Sequence, residues 1–235
     1  YFWSKHKRTN FDWWRKRFKR QFELVDLLRF DHFRGLAGYW RVNGNSKTAI
    51  CGKWIKSPGR MLLNKLKIDL GTDFLPIIAE DLGVITPDVE KLRKYFELPG
   101  MKILQFAFDG NEDNPYLPRN IEGENWVVYT GTHDNSTSIS WWECLENNAK
   151  KRIKDEYKFS ENPSWSLIKI GMDTKANLFI APIQDILSLD DSSRLNIPGT
   201  IKNNWKWKLN RPLEEIEDNL RRFSDLGDSF GRTRK

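Results

Sequence analysis

Cysteine and histidine are scarce in this chain, with two of the first and three of the second among 235 residues. Cys51 and Cys144 lie far apart, in no Cys-x-x-Cys pair, and the histidines show no ligand spacing. That excludes a disulfide framework and a structural zinc site, and two buried free thiols in a reducing compartment are expected. No Gly-rich phosphate loop is present, so neither a nucleotide cofactor nor a metal is expected. No apolar run approaches the roughly 20 residues that span a bilayer, and short runs such as 75–79 suit buried strands. The start lacks a charged segment followed by an apolar one, so no signal peptide is expected. The first residue is Tyr1 rather than Met, which suggests a piece of a longer chain. Internal repeats and low-complexity linkers are absent, and a single domain over residues 1–235 is expected.

What is present points to a soluble, folded protein. Hydrophobic residues make up 39% and charged residues 30%, a balance that a disordered chain does not have. The net charge of +7 raises the question of a nucleic-acid partner. The positive charge is densest over residues 5–20. There, however, Phe11, Trp14, Phe18, Phe22 and Val25 recur every three to four residues. This is the spacing of one buried helix face, which leaves the basic side chains on the solvated face. No RNP, zinc-finger or homeodomain pattern occurs, and neither a nucleic-acid nor a membrane partner is expected.

Strand-like and helix-like stretches alternate. Short apolar or β-branched runs at 27–31, 75–80, 101–108, 126–130 and 177–182 read as strands. Helices are expected over 86–95, opened by Thr86-Pro87-Asp88, and over 141–157, 164–172 and 213–226. Such alternation argues for an α/β fold with a parallel sheet and helical crossovers. Several strands end in catalytic-type side chains: Asp31, Glu80, and His133-Asp134 just beyond the fourth. In a (β/α)8 barrel the C-terminal strand ends build the active site.

Retaining transfer of a sugar needs two carboxyl groups, one to attack the anomeric carbon and one to move protons. Position at strand ends narrows 32 acidic residues to Asp31, Glu80, Asp81 and Asp134. Asp81 follows Glu80 and so points to the other face of a strand, as a structural partner. His32 likewise alternates away from Asp31 and reads as a packing residue.

Three motifs make the reading specific. Arg29-Phe30-Asp31-His32-Phe33-Arg34-Gly35 resembles the R-x-D-H-F-R-G motif of the amylomaltase family, the 4-α-glucanotransferases of glycoside hydrolase family 77. Ile78-Ala79-Glu80-Asp81-Leu82-Gly83 resembles its I-A-E-D-L-G motif, and Gly131-Thr132-His133-Asp134-Asn135 its G-T-H-D-N motif. The order and spacing are close to the family's. Flanking stretches match too, among them Leu98-Pro99-Gly100-Met101-Lys102 and Asn196-Ile197-Pro198-Gly199-Thr200.

The resemblance implies Asp31 as nucleophile, Glu80 as general acid/base and Asp134 as transition-state stabiliser. It implies Arg29 beside the nucleophile and His133 on sugar hydroxyls, with Asn135 and Asn196 in matched motifs as further substrate-binding candidates. Of the eleven tryptophans, Trp40, Trp142, Trp205 and Trp207 stand near these motifs, and Trp40 is the candidate for stacking on a sugar ring. The implied fold is a partial (β/α)8 barrel, about strands four to eight. The upstream strands and a G-Q-x-W-G-x-P-x-Y-x-W lid segment are absent. The implied partners are α-1,4-glucans, maltooligosaccharides and the missing N-terminal half of the barrel, in the cytoplasm or plastid stroma. Alone, such a chain is expected to be inactive and poorly stable, with the end strands left as open edges. The alternative is a non-catalytic half-protein that binds glucan or a complementary half.

Overall fold

The computed structural model describes residues 2–232, and the chain divides into two units, residues 1–101 and 102–235. The first unit opens with helices α1 (Trp3–Arg8) and α2 (Asp12–Phe22). As the periodicity predicts, Phe11, Trp14 and Phe18 are buried, with Phe22 partly so, while Val25 falls beyond the helix end and is exposed. The basic face of α2 is largely matched within the chain: Arg15 pairs with Asp69, Lys16 with Asp12 and Arg20 with Glu23.

Strand β1 (Leu28–Phe30) follows, then an antiparallel hairpin of β2 (Gly38–Val42) and β3 (Gly52–Lys56), helix α3 (Gly59–Leu70), strand β4 (Ile77–Ala79) and helix α4 (Pro87–Tyr95). Strand β5 (Gly100–Ile103) runs across the division between the units. β1 and β4 pair in parallel, with Phe30 opposite Ala79. Their core is closed by Trp14, Phe18, Phe33, Leu62, Leu63, Leu66, Ile77 and Leu92. Leu62, Leu63 and Leu66 form one face of α3, the spacing that drives an amphipathic helix onto a sheet. Helix α4 starts where Thr86 and Pro87 predict. The Thr86 carbonyl accepts from Val89 and Glu90, and the Thr86 side chain bonds the Asp88 carboxyl and holds it below the usual carboxylate range.

The second unit contains β6 (Trp126–Tyr129), α5 (Ser138–Cys144), α6 (Asn147–Tyr157), α7 (Pro163–Met172), β7 (Leu178–Ile180), α8 (Ile183–Ile186) and α9 (Glu217–Ser229). The order β5-β6-β7 forms its sheet, with β6 and β7 parallel. Leu104, Phe108, Val128, Ile153 and Leu167 fill one core cluster. Trp165, Ile168, Met172 and Ile186 fill a second, against Phe223 and Leu226 of α9.

Several expectations require correction. The helix predicted over 141–157 is two helices, because Leu145 and Glu146 take extended backbone and the Lys150 ammonium caps the Glu143 carbonyl between them. The strand predicted over 101–108 ends at Ile103 and turns into a 3-10 helix (Leu104–Phe106). Cys51 and Cys144 are free thiols, as expected, but both are exposed. Cys51 ends the loop that joins β2 to β3, and Cys144 lies in the last turn of α5. Among the described residues, no helix is long and apolar enough to cross a membrane.

Candidate active site

The parallel register places Asp31 and Glu80 side by side. Phe30 opposes Ala79, so the next residue on each strand stands at the C-terminal end of its neighbour. The Glu80 N–H donates to the Phe30 carbonyl at 3.1 Å. Such adjacent strands lie about 4.8 Å apart, so both carboxyl-bearing residues leave the same rim. The Arg29 guanidinium reaches Asp31 Oδ1 at 2.9 Å and is itself partly buried. Arg29 thus fixes one oxygen of Asp31 while the rest of that carboxylate stays open to solvent.

Glu80 is held more tightly. Its Oε2 accepts the His32 backbone N–H at 2.7 Å and its Oε1 the Leu82 N–H at 3.0 Å. His32 achieves this with a left-handed backbone, φ 49°, which aims its N–H back at the neighbouring strand end. Its imidazole is exposed, which corrects the expectation of a packing role: the backbone of His32, not its ring, does the work. Asp81 is the structural partner its alternation predicts. It forms a buried ion pair with Arg93 at 3.1 Å and accepts the Met101 N–H at 2.8 Å. Beside β1, Arg29, Asp31, His32, Trp14, Phe18 and Tyr39 help to line a cavity of about 530 Å³, within the range of small-molecule sites.

Trp40 lies on β2. Its indole N–H donates to the Ala49 carbonyl at 2.8 Å, and its ring meets Trp54 edge-on at 5.6 Å. The ring is therefore fixed yet still exposed.

In the second unit, residues 131–137 join β6 to α5 and carry His133, Asp134 and Asn135. Asn196 donates to Asp134 Oδ1 at 2.5 Å, and His133 Nε2 lies 3.4 Å from the same oxygen. The Arg194 guanidinium donates to the Asp134 carbonyl at 2.6 Å. Asn135 turns inward, where its side-chain oxygen accepts from both the N–H and the hydroxyl of Thr132. Trp205 tilts over His133 at 5.1 Å between ring centres. Trp142 instead stacks on Phe159 at 5.0 Å as part of the core. Sequence reasoning missed Arg194 and the His32 backbone. The first sits outside every motif quoted for the site, and the second acts through an atom common to all residues.

Gly131 shows why the loop begins with glycine. A Cβ there would stand 2.8 Å from Gln105 Nε2 and 3.2 Å from Asn135 Cβ. Gln105 cannot easily retreat, since that nitrogen is bonded to the Ser136 carbonyl at 2.9 Å. Gly131→Ala is expected to destabilise the chain by roughly 1–3 kcal/mol. Urea unfolding followed by tryptophan fluorescence measures this, and an unchanged midpoint would contradict the close packing described.

Among the described residues, no group of three or more His, Cys, Asp or Glu side chains is gathered to hold a metal ion. Comparison with known proteins decides the family. The model of the 4-alpha-glucanotransferase family matches residues 1–214. The chain belongs to that family. It is 46% identical over 210 residues to a 4-alpha-glucanotransferase of Synechocystis, covering 88% of this chain and 41% of that relative. It is 42% identical over 217 residues to one from Thermus thermophilus, covering 89% and 43%. A chloroplastic/amyloplastic glucanotransferase of Oryza sativa is 45% identical over 214 residues, covering 89% and 35%. Among solved structures, an amylomaltase from Streptococcus agalactiae in complex with acarbose superposes with a TM-score of 0.92 at 33% identity, covering 100% of this chain and 47% of that one. This glucanotransferase-family chain thus spans roughly two fifths of the length of these relatives.

Proposed function

We propose that the chain supplies the catalytic carboxylates of a 4-α-glucanotransferase, which moves α-1,4-glucan segments between chains by retaining double displacement. The observation that carries this is the pairing of Asp31 and Glu80 on the adjacent ends of β1 and β4. In this reading the Asp31 carboxylate attacks the anomeric carbon of a donor glucan. The glycosidic C–O bond breaks and Glu80 gives its proton to the departing 4-oxygen. An acceptor sugar then loses its hydroxyl proton to Glu80, attacks the same carbon and frees Asp31. The two backbone N–H groups on Glu80 occupy two of its about four lone-pair sites, which leaves others for the proton. Asp134 faces the developing positive charge on the sugar, and Asn196 and His133 set its orientation. Arg29 holds Asp31, and Trp40 offers a fixed aromatic face to a sugar ring.

The barrel reading belongs with this proposal. We assign β1, β4, β5, β6 and β7 to strands four to eight of a (β/α)8 barrel, with β2 and β3 as an excursion from the strand-four end. The ligands are α-1,4-glucans and maltooligosaccharides, a class in keeping with the acarbose complex of the Streptococcus relative. The setting is the cytoplasm or the plastid stroma, the second in keeping with the chloroplastic/amyloplastic relative of Oryza sativa.

One experiment tests this reading. The chain is assayed alone, and as a chimera replacing its matching stretch in the Synechocystis enzyme. With maltotriose the chimera is expected to yield glucose and longer oligomers without added metal, and the chain alone is expected to yield none. An inactive chimera that still folds would contradict the catalytic reading.

A further inference from the structure

One buried carboxylate touches both ends of the Asp134 loop. Asp185, on α8, is 1% exposed. Its Oδ2 accepts the Thr130 hydroxyl at 2.5 Å and the Ser138 hydroxyl at 2.8 Å, and its Oδ1 accepts the Ser138 backbone N–H at 2.7 Å. Thr130 is the residue after β6, and Ser138 is the first residue of α5. Everything between them is the loop that carries His133, Asp134 and Asn135.

The stretch that follows Asp185 adds to the same grip. Asp191 Oδ1 accepts the Thr137 N–H at 2.8 Å, and its own N–H donates to the Ser140 hydroxyl at 2.9 Å. Arg194 reaches the Asp134 carbonyl at 2.6 Å and the Ser136 hydroxyl at 3.1 Å. Burying a carboxylate is costly unless donors satisfy it. Burial pushes the Asp185 carboxyl up, the Thr130 and Ser138 hydrogen bonds pull it back, and the charge of Asp191 works against them. Packing alone would be served by an apolar side chain. Three donors converging from the two ends of one loop are served by a carboxylate, whose charge-assisted bonds are the shorter and stronger kind.

We propose that Asp185 is a positioning residue which clamps both ends of the 131–137 loop and so holds Asp134 where the transition state requires it. The inference rests on the role proposed for Asp134. It assigns Asp185 no contact with substrate: its effect passes through Thr130 and Ser138.

The test uses Thr130→Val, which deletes the hydroxyl and keeps the shape, Thr130→Ser, which restores the hydroxyl, and Asp185→Asn. In the 235-residue chain, amide hydrogen exchange over residues 131–138 is expected to quicken about tenfold in Thr130→Val and Asp185→Asn, the scale of one lost hydrogen bond. Thr130→Ser is expected to match the unsubstituted chain, and α7 amides are expected to stay protected in all three. In the Synechocystis chimera, the same two variants are expected to lose on the order of a hundredfold in kcat, with KM for maltotriose nearly unchanged, because misplacement by about 1 Å costs that much. Unchanged loop exchange in Asp185→Asn overturns the clamp, as does a rise in KM at constant kcat. An inactive unsubstituted chimera overturns the functional reading instead, and the exchange result then judges the clamp by itself.

Discussion

Asp31→Asn in the Synechocystis chimera is expected to cut transfer from maltotriose by a thousandfold or more, on the order of what removing a covalent nucleophile costs. The carboxamide keeps the size of the side chain and an oxygen for Arg29, yet it cannot form the glycosyl ester. The fold should not notice, because the Asp31 side chain is 76% exposed and surface changes of this kind are usually within about 0.5 kcal/mol. Kinetics and urea unfolding of the same preparation give both numbers. Turnover near that of the unsubstituted chimera would falsify the nucleophile assignment, while lost activity with a shifted midpoint would point to a structural role instead.

Arg93→Met is expected to be among the most destabilising single substitutions in the first unit, at roughly 3–5 kcal/mol, the cost of leaving a buried charge without its partner. Both side chains of the Asp81–Arg93 pair are less than a tenth exposed. Arg93 also donates to the Leu98 carbonyl at 2.9 Å, and Asp81 accepts the Met101 N–H at 2.8 Å. The double variant Asp81→Leu/Arg93→Met removes both charges, so it should recover part of the loss. It should not recover all of it, because two backbone groups lose their side-chain partners, at about 1–3 kcal/mol for each group left buried and unsatisfied. Urea unfolding of the two single variants and the double closes the cycle. Additive losses would mean that the pair is not coupled.

The sequence made the strand ends legible because chemistry and periodicity coincide there. Leu28–Phe30 and Ile77–Ala79 are short apolar runs that break into Asp31 and Glu80, and alternation alone separates Glu80 from Asp81. The face of α2 was readable for the same reason, since Trp14 and Phe18 sit one turn apart. The β2–β3 hairpin was not readable. Its connection over residues 43–51 is longer than the tight turns that mark hairpins in sequence. Its strands carry Trp40 and Trp54 on an exposed surface, without the alternation of a half-buried sheet. The helix break at Leu145 and Glu146 was hidden because neither residue disfavours a helix strongly, and the break is decided by capping contacts such as Lys150 on Glu143. Among the candidate residues, the three carboxylates stood out as residue types in motifs. The contribution of Asp185, Arg194 and the His32 N–H depends on where distant segments meet, which no local pattern encodes.

Removing a catalytic group often leaves a protein more stable, because active sites hold side chains in arrangements that folding alone would not choose. Glu80 runs against that trend. Its two oxygens tie the left-handed turn at His32 to the loop at Leu82, so the side chain proposed to move protons also fastens two strand ends together. An alanine there would open a gap in the scaffold as well as remove the proposed acid/base. An inactive form meant for capturing a bound glucan is better made as Glu80→Gln, which keeps one acceptor oxygen in place and disturbs least the neighbour, Asp31, whose position is to be observed.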